Sequence, residues 1–253
     1  MPVYYGKIES ISRLAEDAEL YNIKVNLPAA AKRARPGHIL QISCGDDTTL
    51  RRPISICNVE GDSVRFCFDV RGKGTKWLAE RKEGDTLDIM GLYGNTFDLS
   101  DTSKKALVVG GGIGVYPLLY LCSKYKGSIS AVLGYRSKGL VTLEDDFKSV
   151  CEQVYITTDD GSYGIKGYAI DTVRKILDEQ QIDIIYTCGP TVMMRGIVEE
   201  AVKRGIRCQV SLEERMGCGI GACLACTCSI EGKKKRVCMD GPVFEGKDVD
   251  FNG

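Results

Sequence analysis

The sequence is nearly bare of histidine: His38 is the single such residue among 253. Zinc sites of the HExxH kind and multi-histidine iron sites need at least two imidazoles, so both are excluded. A Ser-His-Asp triad would have to use His38, which sits in Pro36-Gly37-His38 at the start of an apolar run, a poor place for a general base. An excess of charge of one sign is also lacking. Lys and Arg total 34, and Asp and Glu total 34, which leaves no electrostatic footprint for nucleic acid or an anionic membrane. Long apolar runs are missing as well. Residues 106–123 are uncharged, but they hold Gly110, Gly111, Gly112, Gly114 and Pro117. A membrane span needs about 20 apolar residues, and strand, glycine loop and helix is the better reading. Lys7 and Glu9 stand where a secretory signal would be apolar. The expectation is a cytoplasmic chain whose thiols stay reduced.

What is present begins with ordinary globular composition, 43% apolar and 27% charged, in a length that suits one to three domains. The anomaly is twelve cysteines. Seven are scattered and five crowd into residues 218–238. In a reducing compartment such a cluster reads as metal binding before disulfides.

Residues 1–99 carry short β-rich runs at 3–12, 20–27, 38–44, 54–59, 63–70 and 86–90, separated by turn residues such as Glu60-Gly61-Asp62. Six such strands predict a closed or nearly closed antiparallel barrel, with one short helix over 75–81. A polar link at 98–103 marks a boundary. Over 100–214 the period changes, with strands at 106–109, 130–133, 154–157, 182–187 and 207–212. Helical patterns at 115–124, 143–150, 167–179 and 191–204 alternate with them. That alternation predicts a doubly wound α/β parallel sheet. Residues 215–253 are too few for a core of their own and call for a staple.

The strongest motif is Cys218-Gly-Ile-Gly-Ala-Cys223-Leu-Ala-Cys226 followed by Cys238. The spacing C-x4-C-x2-C…C is that of plant-type [2Fe–2S] sites. Soft thiolate ligands suit iron and sulfide, and the glycines permit tight turns with amides aimed at sulfur. A four-cysteine zinc knuckle and a [4Fe–4S] site are the competing readings. Cys228 lies on the first arm of a hairpin that delivers Cys238 and reads as a bystander. Gly110-Gly111-Gly112-Ile113-Gly114 follows a buried strand and opens a helix, as in nucleotide-binding loops, though it is not a full GxGxxG. Cys188-Gly189-Pro190 ends a second strand on the same side of the sheet, and Cys188 also reads as a small buried residue. In the barrel, Arg51-Arg52-Pro53-Ile54-Ser55 puts a cation and a hydroxyl on one extended segment, and Gly72-Lys73-Gly74-Thr75 opens the short helix. For Arg51 and Lys73 the bland reading is solvated surface.

Taken in order along nearly the whole chain, these motifs resemble the ferredoxin-reductase superfamily, and within it the electron-transfer subunits of type B dihydroorotate dehydrogenases. Glu213-Glu214-Arg215-Met216 and Cys238-Met239-Asp240-Gly241-Pro242-Val243-Phe244 add to the likeness. The resemblance implies FAD held by Arg52, Pro53, Ile54 and Ser55, with Asp69, Val70, Arg71, Gly74 and Thr75 around the remainder. It implies NAD at Gly111, Gly112, Gly114, Cys188, Gly189 and Pro190, and a [2Fe–2S] cluster on Cys218, Cys223, Cys226 and Cys238. It implies no catalytic side chain here. The partner would be an FMN-containing catalytic subunit, two of each chain, with electrons passing from dihydroorotate to NAD⁺ in pyrimidine biosynthesis. A reductase serving ferredoxin or an electron-bifurcating partner is the alternative, and a zinc-stapled nucleotide-binding regulator is a third reading of another class. Arg136 and Lys138 follow the second parallel strand, where basic groups would suit the 2′-phosphate of NADP.

Overall fold

The computed structural model describes residues 2–15 and 17–251. The barrel strands are β1 (Val3–Arg13), β2 (Leu20–Asn26), β3 (Ile39–Ile42), β4 (Arg52–Glu60), β5 (Ser63–Asp69) and β6 (Thr86–Tyr93). They form the closed barrel that the sequence predicts, in the order β1-β2-β5-β4-β3-β6. Closure depends on β1 serving two neighbours. Its first half pairs with β6 and its second half with β2. Gly6 lies in the half that pairs with β6, where a Cβ would meet Leu27 Cδ2 at 2.5 Å. Every second residue points inward, so Ile23 and Val25, Val64 and Phe66, and Leu87 and Ile89 fill the interior without exposed surface. A short helix α1 (Pro28–Ala31), absent from the sequence reading, follows β2 with Pro28 in its first turn. Helix α2 (Lys73–Ala79) starts two residues earlier than expected. Thr75 Oγ1 accepts the N–H groups of Arg71 and Gly72 and so closes its first turn.

The second half alternates β7 (Ala106–Gly111), α3 (Val115–Lys124), β8 (Ile129–Tyr135), α4 (Glu144–Lys148), β9 (Gln153–Thr158), β10 (Ile165–Lys166), α5 (Ala169–Glu179), β11 (Ile184–Cys188), α6 (Thr191–Lys203) and β12 (Arg207–Ser211). The sheet order is β10-β9-β8-β7-β11-β12, all parallel. Every residue of β7 is buried, because one core covers one face with Leu118 and Phe147 while another covers the other with Val173 and Ile197. The barrel rests on α3. The Tyr120 hydroxyl donates to the Ala34 carbonyl (3.0 Å), and Arg65 pairs with Asp146. Among the described residues, no helix is long and apolar enough to cross a membrane.

The C-terminal residues form a hairpin, β13 (Thr227–Ile230) and β14 (Lys233–Arg236), and then β15 (Val243–Glu245). This last strand runs antiparallel to β12 and adds a seventh strand to the large sheet. It was not expected from the sequence. The module is held to the barrel too. Asn95, just past β6, accepts the Val243 N–H at Oδ1 (2.8 Å) and donates from Nδ2 to the carbonyls of Val243 (2.7 Å) and Asp240 (3.1 Å).

Candidate functional site: a three-sided cleft and a cysteine loop

Strand order reverses between β7 and β11, and the loops leaving both strands meet there. In open α/β sheets this is where ligands bind. The glycines divide the work. A Cβ on Gly114 would stand 2.5 Å from the Cys188 carbonyl oxygen, and one on Gly111 would stand 2.8 Å from Pro190 Cδ. Those two therefore let the loops pack on each other. Gly112, at φ +54°, has open space where a side chain would go, so it is the position that presents bare backbone to a ligand. Cys188 is buried, and burial pushes its thiol well up. Its backbone, rather than its sulfur, shapes the site.

In front of these loops lies a cleft of about 1240 Å³. Gly111, Gly112, Gly114, Gly189 and Pro190 line its floor, Asp69 and Arg71 line the barrel wall, and Cys228 and Phe251 bring in the C-terminal module. Arg136, which the sequence offers as a partner for a 2′-phosphate, lines the cleft, and so do Asp159, Tyr168, Met193 and Glu213, to which the sequence assigns no binding role. Glu213 lines the cleft with an exposed side chain. Crowding by the cleft walls raises its carboxyl, Arg71 pulls it down and Asp69 adds to the rise. Arg71 is fixed by Asp69 at 2.5 Å.

Arg52, Pro53, Ile54, Ser55, Val70, Gly74 and Thr75 lie outside the cleft lining. Arg52 and Gly74 are nevertheless together: a Cβ at Gly74 would meet Arg52 Nε at 2.5 Å, so glycine makes room for the guanidinium. Arg51 is half-buried and already engaged. It forms a two-pronged pair with Asp88, at 2.9 and 2.7 Å. His38 is an acceptor for the Arg35 N–H, and burial, helped by Arg35 and Arg33, pushes it down to about 4. The chain's one imidazole is thus neutral.

The cysteines of the loop come in two pairs. Cys218 N–H donates to Cys223 Sγ (3.4 Å) and Cys223 N–H donates back to Cys218 Sγ (3.3 Å), with the Ile220 N–H added at 3.4 Å. These amides bring Cys218 down to about 6. The hairpin makes the second pair: Val237 N–H donates to the Cys226 carbonyl (2.9 Å) and Cys238 N–H to Cys226 Sγ (3.5 Å). Cys226 and Cys238 are buried, Cys218 is half-buried and Cys223 is exposed. Left-handed residues Gly219, Gly221 and Leu224 turn the chain around the sulfurs. Two thiol pairs with amides aimed at them fit a two-iron cluster, in which each iron takes two thiolates. Cys228 instead bonds the Lys235 carbonyl (3.6 Å), and burial pushes it up to about 11.

Residues 213–250 match the iron–sulfur cluster binding domain of dihydroorotate dehydrogenase B. A dihydroorotate dehydrogenase B (NAD(+)) electron transfer subunit from Caldanaerobacter subterraneus is 42% identical across 87% of this chain and 89% of its own. The chain belongs to that family of electron transfer subunits. Another member, from Fusobacterium nucleatum, is 39% identical over 96% of this chain and 97% of its own length. Among solved structures, an NADH-dependent reduced ferredoxin-NADP oxidoreductase, studied for flavin-based electron bifurcation, superposes with a TM-score of 0.88. It is 32% identical and covers 98% of this chain and 90% of that one. The ferredoxin reductase of carbazole 1,9a-dioxygenase, at 21% identity, 81% and 67% coverage and a TM-score of 0.66, shares the fold. Family membership replaces the zinc-knuckle reading: the matched cysteine segment is an iron–sulfur domain.

Proposed function

We propose that this chain relays electrons between a catalytic partner subunit and NAD⁺, with FAD and a [2Fe–2S] cluster as its carriers. The observation that carries the reading is the three-sided cleft, which joins the barrel, the strand-order reversal and the cysteine module in one cavity. Arg52 and Ser55, with Gly74 and Thr75, would hold the FAD phosphates and flavin edge, Pro53 and Ile54 would fix that strand, and Asp69, Val70 and Arg71 would wrap the remainder. Gly111, Gly112, Gly114, Gly189 and Pro190, with the Cys188 backbone, would receive the NAD pyrophosphate. Cys218, Cys223, Cys226 and Cys238 would ligate the cluster. A flavin so placed supplies the conversion between two-electron hydride exchange and one-electron exchange. The protein's part is to orient: Gly112 leaves its backbone bare, Arg71 is preset by Asp69, and the neutral His38 takes no proton.

The division into 1–99, 100–214 and 215–253 follows this allocation of carriers. Asp159 in the cleft favours NAD, since a carboxylate suits a ribose hydroxyl better than a phosphate. Arg136 lines the same cavity, so steady-state kinetics with NADH and NADPH are the check; a clear preference for NADPH would reverse the assignment. The partner is an FMN-bearing subunit that oxidises dihydroorotate, two of each chain, in the cytoplasm. The purified chain should pass electrons from NADH to an artificial acceptor and leave dihydroorotate untouched, and adding the partner should couple its oxidation to NAD⁺. Bleaching of the flavin by dihydroorotate without the partner would refute the proposal.

A further inference from the structure

Among the described residues, three buried side-chain oxygens of the barrel, on Tyr4, Gln41 and Tyr93, have no hydrogen-bond partner, and the last two lie near the cysteine loop. Gln41 on β3 is 1% exposed and Tyr93 at the end of β6 is 2% exposed. Gln41 Oε1 and the Tyr93 hydroxyl are buried with no hydrogen-bond partner. Their strands are paired neighbours, with Ile39 opposite Tyr93 and Gln41 opposite Met90. Leu and Phe would occupy such positions without the cost of stripping water from a polar group, so the two residues call for another explanation.

Gln41 touches the loop directly. Its Nε2 is 3.8 Å from Met216 Sδ, and a Cβ at Gly219, the neighbour of Cys218, would stand 2.5 Å from that nitrogen. Tyr93 precedes Gly94, where a Cβ would meet Pro242 Cδ at 2.5 Å and the Gly241 oxygen at 2.6 Å, so the end of β6 packs on the segment just past Cys238. Burial raises the Tyr93 hydroxyl, and Cys218 and Cys238 are near enough to add to the rise against Arg51. An amide N–H and a phenol O–H are donors, whereas thiolate and sulfide sulfurs only accept.

We propose that Gln41 and Tyr93 are a pair of hydrogen-bond donors, carried by the barrel, to the sulfurs of the cluster held by Cys218, Cys223, Cys226 and Cys238, and that they set its reduction potential. This rests on that ligand assignment. Reduction by one electron adds negative charge to the sulfurs, and a donor facing them stabilises the reduced form more than the oxidised one. The unpaired Gln41 Oε1 follows from turning the amide nitrogen toward the loop. In this arrangement the two residues are positioning residues: they tune the cluster without ligating iron.

The test is an electron-paramagnetic-resonance redox titration of the cluster-loaded full chain as wild type, Tyr93→Phe, Gln41→Leu and the double variant, with iron and sulfide counted in each. Tyr93→Phe removes one oxygen and keeps the ring packed, so it isolates the donor. Expected are full iron content, a midpoint potential shifted to more negative values in each single variant, and a larger shift in the double. Unshifted potentials with full iron would overturn the proposal and reduce both residues to packing. Cys226→Ser and Cys238→Ser probe the ligand assignment separately, because a wild-type signal in those variants would defeat the assignment itself.

Discussion

Asn95→Ala should loosen the cysteine module without touching any proposed cofactor contact. The substitution deletes three hydrogen bonds, from Nδ2 to the Asp240 and Val243 carbonyls and from the Val243 N–H to Oδ1. A typical bond is worth about 1 kcal/mol net, so about 3 kcal/mol is the ceiling. The Asp240 contact is exposed and water will replace it, whereas the two Val243 groups are partly shielded. The loss is then about 2 kcal/mol, and a chain of this size loses ~2–4 °C in Tm per kcal/mol, or roughly 4–8 °C. Differential scanning calorimetry of the cluster-loaded chain measures it. Asn95→Asp separates donor from acceptor. It keeps an oxygen for the Val243 N–H but sets a carboxylate against two carbonyl oxygens, so it should be at least as damaging. A Tm within 1 °C of wild type for Asn95→Ala would refute the reasoning.

Gly114→Ala should weaken NADH binding by about tenfold or more, because a methyl 2.5 Å from the Cys188 oxygen must push the two loops apart, and a displacement costing about 1.4 kcal/mol is already a factor of ten; the flavin content, measured by absorbance, should not change. Cys238→Ser should lose iron and Cys228→Ser should retain it, read by iron analysis, since Cys228 is tied to Lys235 on the return strand. Acid should open the link between barrel and sheet. Asp98 is held from 3.8 down to about 2, first by the Ser100 hydrogen bonds and then by Arg207. A depressed carboxylate contributes stability that is fully present above the ordinary value and lost as pH falls through the folded one, so the loss belongs between about pH 4 and 2. Thermal midpoints of Asp98→Asn and wild type should converge across that window, and a constant gap would contradict it.

The barrel and the parallel sheet were legible because each obeys one period: alternation in β5 and β6, and apolar runs broken by helical patterns from β7 to β12. The cysteine spacing was equally plain, since ligand intervals are local. What escaped the sequence is non-local. β15 is three residues long, and nothing in Val243-Phe244-Glu245 announces β12 as its partner. Asn95 meets its partners about 145 residues onward, and no periodicity carries that distance. Arg51 and Arg52 are adjacent and chemically alike, yet one is spent on Asp88 while the other lies against Gly74. Only the opposite sides of the strand separate them. The glycine loop was recognised, but its division into packing glycines and one open glycine depends on Cys188–Pro190 arriving from another strand.

The place of β15 also sets a timetable for synthesis. When a ribosome has released β12, the outer edge of that strand is bare, and its amides and carbonyls can recruit any other extended chain. The strand meant for that edge is encoded more than thirty residues later, after the whole cysteine loop and hairpin. Until it arrives, Arg207 on that strand has Asp98 as a partner at 2.8 Å but lacks Glu245, which takes its other side at 2.5 Å in the finished fold. A message cut short before Val243 would therefore yield more than a chain lacking its last turn: it would yield a nucleotide-type sheet with an adhesive flank, and aggregation rather than loss of colour would be its first symptom.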